Sequence, residues 1–192
     1  MEKKNRAPRA KKIAVLAMMT GFGLIMFMVE SLFPPMFFPG AKMGLSNIFS
    51  LLTLVLYGLP EALLVVIART VLGSLFAGNA SLLLYSLTAG VASVIVSRLL
   101  MFAFPKVSLL AVSVVSAVVH NTVQLLVYCA LTQTTLIFSY LPYLALLGVL
   151  AGVIVGLAVI FTVKGVPLGV FMKILGEKER ENEKNHITED SN

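Results

Sequence analysis

The chain has 192 residues, of which 58% are hydrophobic and 12% charged, and its mean hydropathy is +0.96. Soluble domains run at roughly 45–50% apolar and 25% charged, so an ordinary soluble enzyme and a disordered chain are both excluded and a polytopic membrane protein remains. The net charge of +6 points to the lipid bilayer and not to nucleic acid, because the basic residues gather beside apolar runs.

In chain order, a basic stretch leads into span 1, about residues 12–32; no small-x-small cleavage site follows it, so it reads as a retained helix and not a signal peptide. The loop 33–40 holds Pro34, Pro35 and Pro39, which cannot continue a helix. Span 2 follows at 43–57 and ends at Gly58-Leu59-Pro60; span 3 runs from 61 to 77, where Gly78-Asn79 breaks it; span 4 covers 80–102 and is closed by Pro105. From Val107 to Val163 there is no Asp, Glu, Lys or Arg, a run of 57 residues. That is too long for one helix and right for two of ~20 residues each, so spans 5 and 6 are placed at 107–131 and 140–162. The expected organisation is an all-α bundle of six transmembrane helices at 12–163, between a basic tail at 1–11 and a charged tail at 164–192.

Counting Lys and Arg sets the orientation. Six lie in the N-terminal stretch, five follow the last span, and Arg98 and Lys106 fall between spans 4 and 5, so 13 of the 15 share one side. The positive-inside rule puts both termini in the cytoplasm. Gly148, Gly152 and Gly156 recur every four residues on span 6, a stripe that lets another backbone approach closely. A second small stripe, Ala10, Ala14, Ala17 and Gly21, is either internal packing or a docking face for a partner. Cys129 is the only cysteine, so no intrachain disulfide forms.

Ionisable groups cost about 2.5–3.5 kcal/mol each at membrane depth, so each asks for a reason. Glu30, Lys42, Asn47, Arg69, Asn79, Tyr85, His120, Asn121 and Gln124 all fall in the outer half of the bundle or at its middle, whereas the inner half reads as aliphatic apart from Glu61 and Arg98 at its edge. The expected site is an outward-facing pocket with an apolar floor and the loop 33–40 as its lid. Lys42 and Arg69 can hold a carboxylate or phosphate, and the amides and His120 can hydrogen-bond a polar group. The competing reading of each is structural: Glu30 paired with Lys42, Arg69 neutralising a neighbouring helix, His120 with Asn121 bridging helices, Glu61 favouring a helix N-terminus. No P-loop and no G-x-S-x-G occurs, and His120 has no metal set around it. No cofactor is expected in this chain.

The run Pro34-Pro35…Pro39-Gly40-Ala41-Lys42-Met43-Gly44-Leu45-Ser46-Asn47, with Arg69…Gly73…Gly78-Asn79…Tyr85-Ser86-Leu87…Gly90…Ser93 and His120-Asn121…Gln124-Leu125, resembles the bacterial family called heptaprenyl diphosphate synthase component I, or Gx transporter family, over about residues 10–163. In size and topology that family is similar to the substrate-binding S components of energy-coupling-factor transporters. The resemblance implies a small-molecule ligand captured from outside, a cell-membrane location, and docking on a transmembrane and ATPase module that alone would handle ATP. Their first helix often carries Ala-x-x-x-Ala, a spacing found here at Ala10 and Ala14. The family's enzymatic name implies instead a partner prenyl synthase subunit. There is no Asp before Asp190 to hold Mg²⁺ and a diphosphate, so under that name the chain is a non-catalytic component of heptaprenyl diphosphate or menaquinone biosynthesis. A role beside flavin- or quinone-linked electron transfer is a third implication.

Overall fold

A computed structural model describes residues 6–32 and 44–165. Six α-helices and one short 3-10 helix follow in order: α1 (Arg6–Leu32), α2 (Asn47–Tyr57), α3 (Leu59–Phe76), α4 (Ala80–Ala103), α5 (Leu109–Thr132), the 3-10 turn (Leu136–Tyr140) and α6 (Leu141–Gly165). The loop 33–40 expected as a lid, Lys42, the side chain of Ala10 and the tail from residue 166 lie outside the described residues.

Five of the helices are long and apolar enough to cross a membrane. Their outer faces agree: Leu146, Leu150, Ile154, Leu157 and Phe161 make an exposed stripe at helical spacing on α6, and Ile13, Phe22 and Ile25 stand exposed on α1. Such faces need hydrocarbon around them. The protein is a multi-pass helical membrane protein.

α2 departs from the expected span 43–57. With 11 residues it is about 16 Å long at 1.5 Å per residue, half of a ~30 Å hydrocarbon core. Gly44 explains the late start. Its φ of +81° is left-handed backbone that glycine adopts freely, and the turn that follows closes through the bonds Asn47 N–H to Gly44 O (2.9 Å) and Ile48 N–H to Leu45 O (3.0 Å). At its other end Gly58, φ +104°, turns the chain at once into α3, whose first turn carries Pro60 and Glu61.

From α2 onward short connections make successive helices antiparallel, and the Lys12–Glu61 pair sets α1 beside α3. Lys12, Glu61, Arg98, Lys106 and Lys164 therefore collect at one end of the bundle, where Lys12 pairs with Glu61 and lies 5.9 Å from the Tyr57 ring. α2 occupies the half of the bundle nearest this basic end. It touches α1, α3, α4 and α6, and α5 packs between α4 and α6. Leu51, Leu52 and Leu54 of α2 build the main core with Ala62, Val66, Val94, Val112, Val155 and Val159.

Candidate functional site

Because α2 starts halfway through the bundle, its first residue, Asn47, lies at mid-depth. Arg69 is the eleventh of the 18 residues of α3 and His120 the twelfth of the 24 of α5. Both stand near the middle of their helices and not near an outer rim.

Arg69 is 2% exposed. Its Nη2 donates to Asn47 Oδ1 at 2.6 Å, while Nε and Nη1 have no hydrogen-bond partner among the described residues. The Glu30 carboxylate, itself buried, acts on the guanidinium electrostatically and accepts the Leu45 N–H through Oε1 at 2.6 Å. One acid thus serves the arginine and the turn that opens α2, where the helix dipole also favours negative charge. Two glycines make room for the arginine. A Cβ at Gly23 would lie 3.1 Å from Arg69 Cδ, and one at Gly90 would lie 2.8 Å from the Val66 side chain and 4.0 Å from Arg69 Nη2. A Cβ at Gly44 would come within 2.9 Å of Asn47 Nδ2 and 3.5 Å of His120 Cδ2, so the glycine lets those side chains close over the turn. Glu30, Asn47, Arg69 and His120, from four helices, form one buried cluster.

The other expected residues serve neighbouring positions. Asn121 Nδ2 donates to Leu144 O of α6 at 3.0 Å, while its Oδ1 has no partner among the described residues. Gln124 lies one turn beyond His120 and is fully buried. Tyr85 packs with Phe27 and Leu82 and meets Tyr128 edge-to-face at 6.2 Å. Asn79 is exposed at the rim and caps α4 by accepting the Leu82 N–H at 3.1 Å. The stripe Gly148, Gly152 and Gly156 is buried against Val118, Val114 and Leu110 of α5. On α1, Ala14 and Ala17 are exposed and a Cβ at Gly21 would meet open space, so this stripe faces away from the bundle.

The half nearest the basic end holds the aliphatic core and, beside it, a row of buried serines that the sequence did not lead us to expect. Ser50, Ser93, Ser97, Ser113 and Ser116 are all buried there and line a narrow cavity that begins at Gly44 and Asn47. Serine escapes a hydropathy reading because its hydroxyl can donate to a backbone carbonyl of its own helix, which makes it cheap to bury. The available signal was spacing: 93 and 97, and 113 and 116, share helix faces.

Among the described residues no three His, Cys, Asp or Glu gather as a metal set. Beside the Glu30 carboxylate, the mid-depth cluster offers a guanidinium and the Asn47 amide, donors that suit an anion.

A family model described as heptaprenyl diphosphate synthase component I matches residues 19–163, which takes in the whole cluster and every helix from α2 to α6. The chain belongs to this family. Among curated proteins none matches it.

Proposed function

We propose that this family member is the ligand-binding membrane component of a transport system, holding the anionic group of a small amphipathic molecule beside Arg69. The supporting observation is the guanidinium itself: fully buried at mid-depth, tied to Asn47 at 2.6 Å, with Nε and Nη1 left over among the described residues. The start of half-helix α2 lies next to it. Transporters use the second of these devices, a broken helix whose N-terminus meets an anionic group near the bilayer midplane. The resemblance to S components of energy-coupling-factor transporters, read from the sequence alone, favours a route from outside, with energy from a partner ATPase module. On this reading the basic end faces the cytoplasm of a bacterial cell and both termini lie there. Reporter fusions at Lys184 and in the segment 132–139 then report opposite sides of the membrane.

The family's description favours a second reading, a non-catalytic membrane partner of a prenyl diphosphate synthase subunit. Purification in lipid nanodiscs followed by mass spectrometry separates the two. A co-purifying vitamin-like carboxylate or phosphate supports transport. A prenyl diphosphate, or synthase activity restored on adding a catalytic subunit, supports the second. In either case Arg69→Gln should weaken retention of the anion by about 2–5 kcal/mol while Arg69→Lys keeps part of it. Full retention by Arg69→Gln would make the arginine structural.

A further inference from the structure

The serine-lined cavity lies below the arginine cluster, between α2 on one side and α4 and α5 on the other. Its interior, about 10 Å³, suits one water molecule. The chemistry of its wall is one-sided. Ser93 donates to Gly90 O at 2.8 Å, Ser97 to Ser93 O at 2.8 Å, Ser113 to Gly152 O at 2.8 Å and Ser116 to Ser93 O at 3.0 Å. A hydroxyl has a single proton, so these four have only lone pairs left to offer. Ser50, 1% exposed, has no partner for its Oγ among the described residues, and a dry void would leave it unsatisfied, which is costly for a buried hydroxyl.

An occupant must therefore donate hydrogen bonds, accept one, and be the size of a water. An anion finds four serine oxygens as acceptors and, among the lining residues, just the Ser50 hydroxyl and the Asn47 amide as donors. A metal cation finds no carboxylate on the wall and has the guanidinium just beyond Asn47.

We propose that the cavity is a binding site for one internal water, held by Ser50 Oγ of α2 and by serine oxygens of α4 and α5, and that this water is the polar joint between the half-helix and that pair. It accepts from the Ser50 hydroxyl and donates to Ser93, Ser97 or Ser116. α2 is then fastened on this side by an exchangeable molecule beside the packing of Leu51, Leu52 and Leu54.

The test is a structure of the full chain in lipid at a resolution that shows waters, beside thermal melting of three proteins: wild type, Ser50→Ala and Ser50→Val. The expected result is a single water within hydrogen-bond distance of Ser50 Oγ in the wild type and a lower melting temperature for both variants, with Val the lower because it displaces the water without replacing its bonds. An empty cavity in the wild type overturns the proposal, and so does a Ser50→Val protein that melts higher than wild type, the behaviour of a dry void being filled. A wild-type melting temperature that rises in sodium chloride but not in choline chloride assigns the site to a cation and also overturns it. If Ser50→Val does not fold, the wild-type density and Ser50→Ala still decide.

Discussion

Two helix seams in this bundle use small residues to opposite ends. Where α6 meets α5, glycine removes the side chain altogether. A Cβ at Gly152 would lie 2.6 Å from Val114 Cα and 3.0 Å from Ser113 O, and one at Gly148 3.1 Å from Val118 Cα, so the two backbones touch. Where α2 faces α4 and α5, serine keeps a short polar side chain and a cavity remains. In lipid no hydrophobic drive pulls helices together, and association rests on packing and interhelical hydrogen bonds. The first seam has both; the second has the packing of Leu51 and Leu54 with Val94 and Val112 beside a shared polar space. α5 and α6 thus form a close-packed frame, and the half-helix that carries Asn47 borders the cavity.

The largest expected effect breaks the frame. In Gly152→Ala the added methyl meets backbone, which cannot turn aside, and overpacking of this kind costs about 1–3 kcal/mol. Gly152→Leu should cost more and abolish a monodisperse peak on size exclusion. Ser97→Val adds similar bulk beside the cavity and should cost less than Gly152→Ala in the same detergent. Equal losses would mean that the second seam is as tightly packed as the first.

Next in size is Asn47→Ala. It removes the hydrogen bond that the buried guanidinium makes to Asn47 Oδ1, and bonds to charged groups are worth about 1.5–3 kcal/mol. Asn47→Asp separates anchoring from binding. It keeps an acceptor for Arg69 and adds a negative charge, so stability should recover while retention of an anionic ligand falls. A variant that loses neither stability nor ligand would show that Asn47 and Arg69 are not coupled.

How legible these seams were in the sequence follows from what each one uses. The period-four glycines on α6 contradict their apolar surroundings and stand out. The charge-free run, the Pro and Gly breaks and the basic clusters mark where helices begin and end to within a few residues. Arg69 announces itself by its cost in a membrane. The half-length of α2 was not legible, because residues 43–57 are apolar enough to read as a span. What stops the helix is one left-handed glycine, Gly44, together with the Glu30 carboxylate arriving from 15 positions away. Nor was the serine cavity: Ser93 and Ser97 bond within their own helix, Ser113 and Ser116 reach other helices, and only the fold turns these and Ser50 toward one space. Asn79 looked like a site residue for the same reason that makes it a good helix cap, a polar side chain beside a glycine turn.

The smallest effect tests the comparison one hydrogen bond at a time. Ser113 and Ser97 are both buried, and each donates at 2.8 Å to a backbone carbonyl. Their acceptors differ. Ser113 reaches across the seam to Gly152 O, whereas Ser97 bonds within α4 to the carbonyl four residues back. Interhelical bonds of the first kind average about 0.6 kcal/mol in membranes. A back-bond of the second kind joins no two helices and slightly weakens its own. Ser113→Ala should therefore lower stability by about 0.6 kcal/mol, and Ser97→Ala should change it by less. Reversible unfolding of both variants in the same bicelles measures the difference. Should Ser97→Ala prove the more damaging, its hydroxyl oxygen is contributing across the cavity, and the second seam is held by its polar contents more firmly than its packing implies.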